Sequence, residues 1–122
     1  MPEAPSLLIV GDDAFVREYL KDAIAEVPLR IREARNGAEA LARVAEESPA
    51  VVLLDLMMPE MSGLQVLRAL QEQSPNSRVV VISSMDSELL IAEALANGAF
   101  NFIGKPFHPL EVAEAVRGAL GA

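Results

Sequence analysis

The sequence of 122 residues has no cysteine, no tryptophan and a single histidine. Without cysteine there can be no disulfide bond, no thiolate chemistry and no cysteine-ligated metal site, and this is consistent with a cytoplasmic protein. No apolar run approaches the roughly 20 residues that a membrane-spanning helix needs. The first residues have no basic cluster ahead of an apolar core, so we expect no secretory signal peptide.

Positive charge is scarce, because 10 lysines and arginines face 18 acidic residues and leave a net charge of −8. A chain with this charge is repelled by nucleic-acid backbones and by anionic lipid, so we expect it to bind neither nucleic acid nor membrane directly. An acidic cluster would instead favour a hard divalent cation such as Mg²⁺. An apolar content of 52% is typical of a folded protein, and the length suits one domain.

Short apolar runs alternate with amphipathic stretches five times along the chain. The runs, four of them short and rich in Val, Ile or Leu, cover residues 7–10, 29–34, 51–54, 79–82 and 100–103. Their composition predicts strands buried on both faces, except for the second run, whose charged residues indicate an edge strand. Asn36-Gly37, Ser62-Gly63 and Asn97-Gly98 fall at boundaries between these elements.

Helical spacing is found between the runs. The apolar face of the first helix is predicted from Phe15, Tyr19, Ala23 and Val27, with Leu20 and Ile24 beside them, and that of the second from Ala38, Leu41 and Ala45. Alternating strands and helices predict a parallel sheet, because each crossover needs a helix. We therefore predict an α/β fold, a doubly wound (βα)5 three-layer sandwich with five parallel strands. It forms one domain over residues 1–122, with residues 1–5 as a flexible extension.

Polar residues follow four of the predicted strands: Gly11-Asp12-Asp13, then Asp55, then Ser83-Ser84, and then Lys105-Pro106. The carboxyl ends of parallel strands share one edge of the sheet, where ligands bind in such folds. Carboxylates gathered there would repel each other without a cation, and Mg²⁺ prefers oxygen ligands beside phosphate. Asp55 ends an apolar strand, where an unpaired charge is costly, so we expect a functional role for it. Asp13 is equally suited to cap the next helix, and both roles remain open for it.

These groups are adequate for phosphoryl transfer onto a carboxylate, which depends on positioning and charge neutralisation. They are incomplete for hydrolysis of a foreign substrate, because the sequence contains no Gly-rich phosphate loop and His108 is not a candidate base.

The sequence resembles the receiver domains of bacterial response regulators over nearly its whole length. The resemblance is carried by Val10-Gly11-Asp12-Asp13, Leu53-Leu54-Asp55-Leu56-Met57-Met58-Pro59-Glu60-Met61-Ser62-Gly63, Val81-Ile82-Ser83-Ser84, and Gly98-Ala99 through Lys105-Pro106-Phe107. It implies a flavodoxin-like, CheY-like fold in a two-component system. A sensor histidine kinase or a histidine phosphotransfer protein would be the phosphodonor. A downstream target protein or output domain, or a second copy of the chain, would receive the signal.

The resemblance also implies a role for each matching residue. Asp55 would be the phosphoacceptor, Asp13 the direct Mg²⁺ ligand, Asp12 a ligand acting through water, and the Met57 carbonyl a further ligand. Lys105 would pair with the phosphoryl group. Ser83 would be drawn toward it, and Phe102 would turn inward as the switch aromatic, with helix 4, strand 5 and helix 5 as the signalling face. Such a domain is a regulatory phosphoacceptor and not a turnover enzyme.

Several positions depart from the commonest pattern of this family. Phe102 lacks the hydroxyl of a tyrosine, so a switch through that ring would work by packing alone. Met57 and Met85 stand where polar groups often flank the site, and neither can orient an attacking water. We therefore predict slow self-dephosphorylation. His108 replaces a frequent capping residue of the last helix.

Two other functions compete with this interpretation. A haloacid-dehalogenase-type aspartate phosphatase would need an Asp-x-Asp nucleophile after the first strand and a cap domain, whereas the acids here are adjacent. A flavodoxin-like FMN carrier would need a Ser/Thr/Gly-rich phosphate loop where this chain has Asp12 and Asp13.

Overall fold

The computed structural model describes residues 4–58, 62–85 and 87–121 and contains five strands and five helices in alternation. The strands are β1 (Ser6–Val10), β2 (Arg30–Ala34), β3 (Val51–Asp55), β4 (Arg78–Ser83) and β5 (Asn101–Gly104). The helices are α1 (Ala14–Ala23), α2 (Gly37–Glu46), α3 (Gly63–Gln73), α4 (Glu88–Ala96) and α5 (Pro109–Leu120). Pro59, Glu60 and Met61, which belong to one of the motifs that carry the resemblance, lie outside the described residues.

All strand pairs are parallel, and the strand order is β2-β1-β3-β4-β5. The order reverses beside β1, so β1 and β3 lie at the point where such folds bind ligands. The register places Val10 opposite Leu54, Asp55 opposite Ile82, and Ser83 opposite Gly104. The predicted doubly wound sheet is therefore confirmed, with β2 at an edge as its charged residues indicated.

Each central strand sends alternate side chains into two separate cores. Leu8 and Val10 of β1 pack under α2, α3 and α4, whereas Leu7 and Ile9 pack under α1 and α5. The same alternation continues through β3 and β4. Because both faces are covered, the strands are continuous apolar runs rather than alternating ones.

The predicted apolar face of α1 is wrong in part. Leu20 and Ile24 are buried, but Phe15 is 88% exposed and Tyr19 is 41% exposed. A spacing of four residues drifts by about 40° per step from the 3.6-residue helical repeat, so the chosen residues do not all stay on the face that meets the sheet. In α2 the buried residues are likewise Ala40 and Val44, while the predicted Ala38 and Ala45 are exposed.

Helix ends are set by local hydrogen bonds. Ser62 and Gln65 form a capping box at the start of α3, and Asn36 and Ser87 cap α2 and α4 through their side-chain oxygens. Gly98 follows α4 with φ +100°, a left-handed conformation that favours glycine. His108 occupies the cap position of α5 but makes no side-chain capping bond, as the sequence predicted.

The start of the described chain is attached to the edge strand. The Arg30 amide donates a hydrogen bond to the Pro5 carbonyl at 2.9 Å, and the Arg30 Nε donates to the Ala4 carbonyl at 2.9 Å. Residues 1–3, the rest of the expected extension, lie outside the described residues. Among the residues described, no helix is both long and apolar enough to cross a membrane.

Candidate functional site

Asp55 is the last residue of β3 and is only 3% exposed. Its Oδ1 accepts a hydrogen bond from the Met57 amide at 2.9 Å, and its Oδ2 lies 3.5 Å from the Lys105 Nζ. Burial raises the pKa of Asp55, the Met57 amide and Lys105 oppose that rise, and the negative charge of Asp12 adds to it. The net shift of the Asp55 pKa is upward, so the neighbouring groups compensate only in part for the burial of this carboxylate charge.

Lys105 follows β5 and reaches Asp55 across a separation of 50 residues. Its backbone amide donates to the Ser83 carbonyl at 2.8 Å, which continues the pairing of β5 with β4 by one residue. The next turn is tied to α1, because the Tyr19 hydroxyl donates to the Phe107 carbonyl at 2.8 Å and the two rings meet edge to face at 5.5 Å. The backbone at Lys105 and two residues beyond it is thus held in place.

Ser83 and Phe102 lie on the two strands beyond Asp55. Ser83 ends β4, is fully buried, and accepts a hydrogen bond on its Oγ from the Met85 amide at 3.0 Å. Phe102 lies in β5, is half-buried, and packs against the core on the side of α4 together with Leu90. The hydroxyl and the ring therefore lie on adjacent strands, and the ring is partly buried in the core.

The segment after β1 supplies two acidic residues, Asp12 and Asp13, and their side chains make different contacts. The Asp13 Oδ1 accepts from the amides of Phe15 at 2.8 Å and Val16 at 3.4 Å, so Asp13 caps α1. Asp12 is exposed and acts electrostatically on Asp55. Arg17 holds the segment in place, because its Nη1 donates to the Gly11 carbonyl at 2.6 Å. The structure thus groups Asp12, Asp55 and Lys105, and turns the Asp13 carboxylate into the helix.

The donor set fits Mg²⁺ without a larger acidic cluster. Within residues 4–58, 62–85 and 87–121, no group of three or more Asp, Glu or His side chains is placed to hold a metal ion. Mg²⁺ in proteins is commonly bound by one or two carboxylates, with water and phosphate oxygens completing its shell. Asp12 and Asp55 meet that requirement.

Two features of this rim were missed by the sequence patterns. Phe15, Val16, Tyr19, Lys105, Pro106 and Phe107 line an apolar groove of about 590 Å³ beside the site. The exposure of Phe15 could not be recognised, because its spacing was compatible with a core position. The second feature is Gly11, where an added Cβ would lie 3.4 Å from the Asp55 Cβ, and no sequence signal separated it from an ordinary turn glycine.

The positions flanking the site are apolar. Met57 is 45% exposed and Met85 is 55% exposed, so both are accessible beside Asp55 and Ser83 without supplying a polar group. On the α4 and β5 side, Leu89 is 71% exposed and Phe100 is 41% exposed, while Leu90 and Ile91 are half-buried. The three consecutive apolar residues of α4 therefore do not all face the core.

Comparison with known sequences identifies the family. Residues 7–117 match the response regulator receiver domain. The chain is 40% identical over 111 residues to the chemotaxis protein CheY of Thermotoga maritima, covering 90% of this chain and 92% of that protein. It is 46% identical over 104 residues to protein-glutamate methylesterase/protein-glutamine glutaminase 5 of Myxococcus xanthus, covering 82% of this chain and 30% of that protein. The chain belongs to the response regulator receiver domain family.

Solved structures agree with this assignment. The response regulator domain of Thermotoga maritima CheB matches with a TM-score of 0.86 and 31% identity over 98% of both chains. A response regulator from Thermotoga maritima matches with a TM-score of 0.89 and 25% identity over 98% of this chain and 99% of that one. The predicted family and CheY-like fold are confirmed, and the aspartate phosphatase and the FMN carrier find no support.

Proposed function

We propose that this receiver domain accepts a phosphoryl group on Asp55 from a phosphohistidine of a sensor histidine kinase or a histidine phosphotransfer protein. The observation that carries the proposal is the placement of Asp55: a carboxylate that is 3% exposed at the end of a central strand, with a lysine ammonium 3.5 Å away. A buried charge with so little compensation is costly to the fold, which favours a functional reason for its presence.

The chemistry is a transfer between a nitrogen and an oxygen. The Asp55 carboxylate attacks phosphorus, a P–O bond forms, and the P–N bond to the donor imidazole breaks. The imidazole keeps the bonding electrons and takes up a proton. Lys105 neutralises charge on the phosphoryl oxygens, and the Met57 amide holds the carboxylate in one orientation.

Asp12 and Asp55 would hold Mg²⁺, as the donor set described above favours, and the resemblance adds Asp13 and the Met57 carbonyl as further ligands. When bound, the ion neutralises charge on the transferred group and offsets the repulsion between the carboxylates.

The phosphorylated state would be transmitted by Ser83 and Phe102. After transfer the Ser83 hydroxyl would leave the Met85 amide and donate to a phosphoryl oxygen, and Phe102 would turn further inward. The face formed by α4, β5 and α5 exposes Leu89 and Phe100 and would signal to a target protein, an output domain or a second copy of the chain. The domain would act in the cytoplasm as a regulatory phosphoacceptor.

The test is phosphorylation with a small donor. The purified protein is incubated with acetyl phosphate or phosphoramidate and Mg²⁺, and its intact mass is measured. We expect a gain of one phosphoryl group that is absent in Asp55→Asn and retained in Asp22→Asn, which changes an exposed aspartate of α1. Persistence of the added mass in Asp55→Asn, or no gain in the wild type, would contradict the proposal.

A further inference from the structure

Three consecutive residues after β1 reach the rim of the sheet, but their positions relative to Asp55 differ. Gly11 is buried against Asp55, Asp12 is exposed, and Asp13 begins the first turn of α1. Adjacent residues of an extended segment point in different directions, so two neighbouring carboxylates need not serve the same site.

Asp13 is engaged by the helix. Its backbone is extended, at φ −91° and ψ 113°, as a cap residue requires. Its Oδ1 accepts from two backbone amides of the first turn, and its carbonyl accepts from the Arg17 amide at 3.1 Å. Both the conformation and the contacts of Asp13 are explained by capping alone.

Gly11 occupies the rim position that faces the phosphoacceptor. A Cβ built on Gly11 would lie 3.4 Å from the Asp55 Cβ and 3.9 Å from the Asp55 Oδ2. These are ordinary van der Waals distances, so the position has room for a Cβ, and φ at Gly11 does not lie in the left-handed region. Gly11, the first residue after β1, therefore supplies no ligand, although its backbone conformation permits a residue with a side chain.

We propose that the divalent-metal site of this chain uses only two side-chain carboxylates, Asp12 and Asp55, that Asp13 is a helix cap and not a ligand, and that Gly11 leaves a ligand position unfilled. The inference rests on the proposed function, because it concerns the metal that phosphoryl transfer requires. It differs from the assignment that the resemblance implied, in which Asp13 binds the metal directly.

The test is Mg²⁺ binding without any phosphodonor, measured by isothermal titration calorimetry and by the rise in Tm on adding Mg²⁺. We expect Asp12→Asn to weaken the Kd by about tenfold or more. Asp13→Asn keeps a capping oxygen, and because the Asp13 charge points away it should change the Kd by no more than about twofold. Asp13→Ala should lower the Tm of the metal-free protein by a few degrees with the same Kd as Asp13→Asn.

Gly11→Asp is the gain-of-function variant. A third carboxylate beside Asp55 should lower the Tm in EDTA, because like charges repel, and should tighten the Kd for Mg²⁺ several-fold, because ligand charge tunes affinity. Its Tm rise on adding Mg²⁺ should therefore exceed that of the wild type. Gly11→Asn is the matched control, which adds the same volume without charge and should not lower the Tm through repulsion.

The outcomes separate this inference from the proposed function. Equal weakening of the Kd in Asp13→Asn and Asp12→Asn, or a wild type that binds no Mg²⁺, overturns the inference. A wild type that binds Mg²⁺ in the expected order of variants but gains no phosphoryl mass overturns the proposed function alone.

Discussion

Asp55 and Glu33 are both carboxylates on the parallel sheet, yet their surroundings have opposite effects on their acidity. Glu33, on the edge strand β2, accepts from the Arg17 Nε at 2.9 Å and the Lys21 Nζ at 3.0 Å. Burial raises its pKa, but the hydrogen bonds from Lys21 and Arg17 outweigh this and lower it. Asp55, on central β3, is faced by Lys105 at 3.5 Å, and burial keeps its pKa raised.

Under the proposed function, the difference separates a structural charge from a reactive one. Glu33 fastens α1 to the sheet edge through two helix residues, so its charge is compensated in the folded state. Asp55 is more buried and less compensated, which costs stability and leaves its carboxylate available for an incoming electrophile and cation. The two lysines that face these carboxylates, Lys105 and Lys21, therefore provide a matched pair for testing the contrast.

The largest expected effect is on the rate of phosphorylation in Lys105→Met. This change keeps the length of the side chain and removes the charge that would stabilise the phosphoryl oxygens. The loss of one such group typically lowers a rate by about a hundredfold or more. The rate is measured with acetyl phosphate and Mg²⁺ by intact mass. Lys21→Met, which removes the cation beside Glu33, should leave the rate unchanged. A Lys105→Met rate close to that of the wild type would mean that its charge is not used.

The next effect concerns the lifetime of the phosphorylated protein. Met57 is 45% exposed beside Asp55 and cannot orient water, so we expect slow self-dephosphorylation in the wild type. Met57→Asn should shorten the lifetime by about tenfold, because an amide there could orient the attacking water. This effect is smaller than that of a general base, which typically raises a rate by roughly 10²–10⁴-fold. Loss of the phosphoryl mass over time measures this. Met57→Leu is the control and should match the wild type, whose lifetime should be longer than seconds.

Neutralising each carboxylate should shift stability in opposite directions. Asp55→Asn removes an under-compensated buried charge and should raise the free energy of unfolding by about 1–2 kcal/mol. Glu33→Gln breaks two partly exposed ion pairs and should lower it by about 0.5–1 kcal/mol, after allowing for solvent screening. Urea unfolding at pH 7 in EDTA measures both. A loss of stability in Asp55→Asn would remove the contrast between the two sites.

The smallest effect is the pH dependence of the Glu33 contribution. Because the pKa of Glu33 is lowered in the folded state, its contribution is fully present above the unfolded value of about 4.3 and is lost as the pH falls through the lower folded value. The stability difference between the wild type and Glu33→Gln should be constant from about pH 7 to pH 5, and should shrink below about pH 4. Urea midpoints at several pH values measure it, and a difference that grows on acidification would contradict the lowered pKa.

The strands were predictable to within one residue at most ends, because a strand covered on both faces must be a continuous apolar run. The strand predicted at residues 51–54 is Val51–Asp55 in the structure, and the strand predicted at 100–103 is Asn101–Gly104. Helix faces were less predictable. In α1 the same spacing suits Phe15 and Leu20, and only contact with the sheet shows that Leu20 is buried and Phe15 is not.

The sequence by itself determined the parallel sheet and the identity of the groups at its carboxyl edge, because apolar runs and the polar residues that end them are local properties of the chain. Only the tertiary structure decided which of those groups lie close together. The approach of Lys105 to Asp55 across 50 residues, and the turning of Asp13 into α1 while Gly11 faces Asp55, depend on distances and backbone directions that residue spacing does not encode.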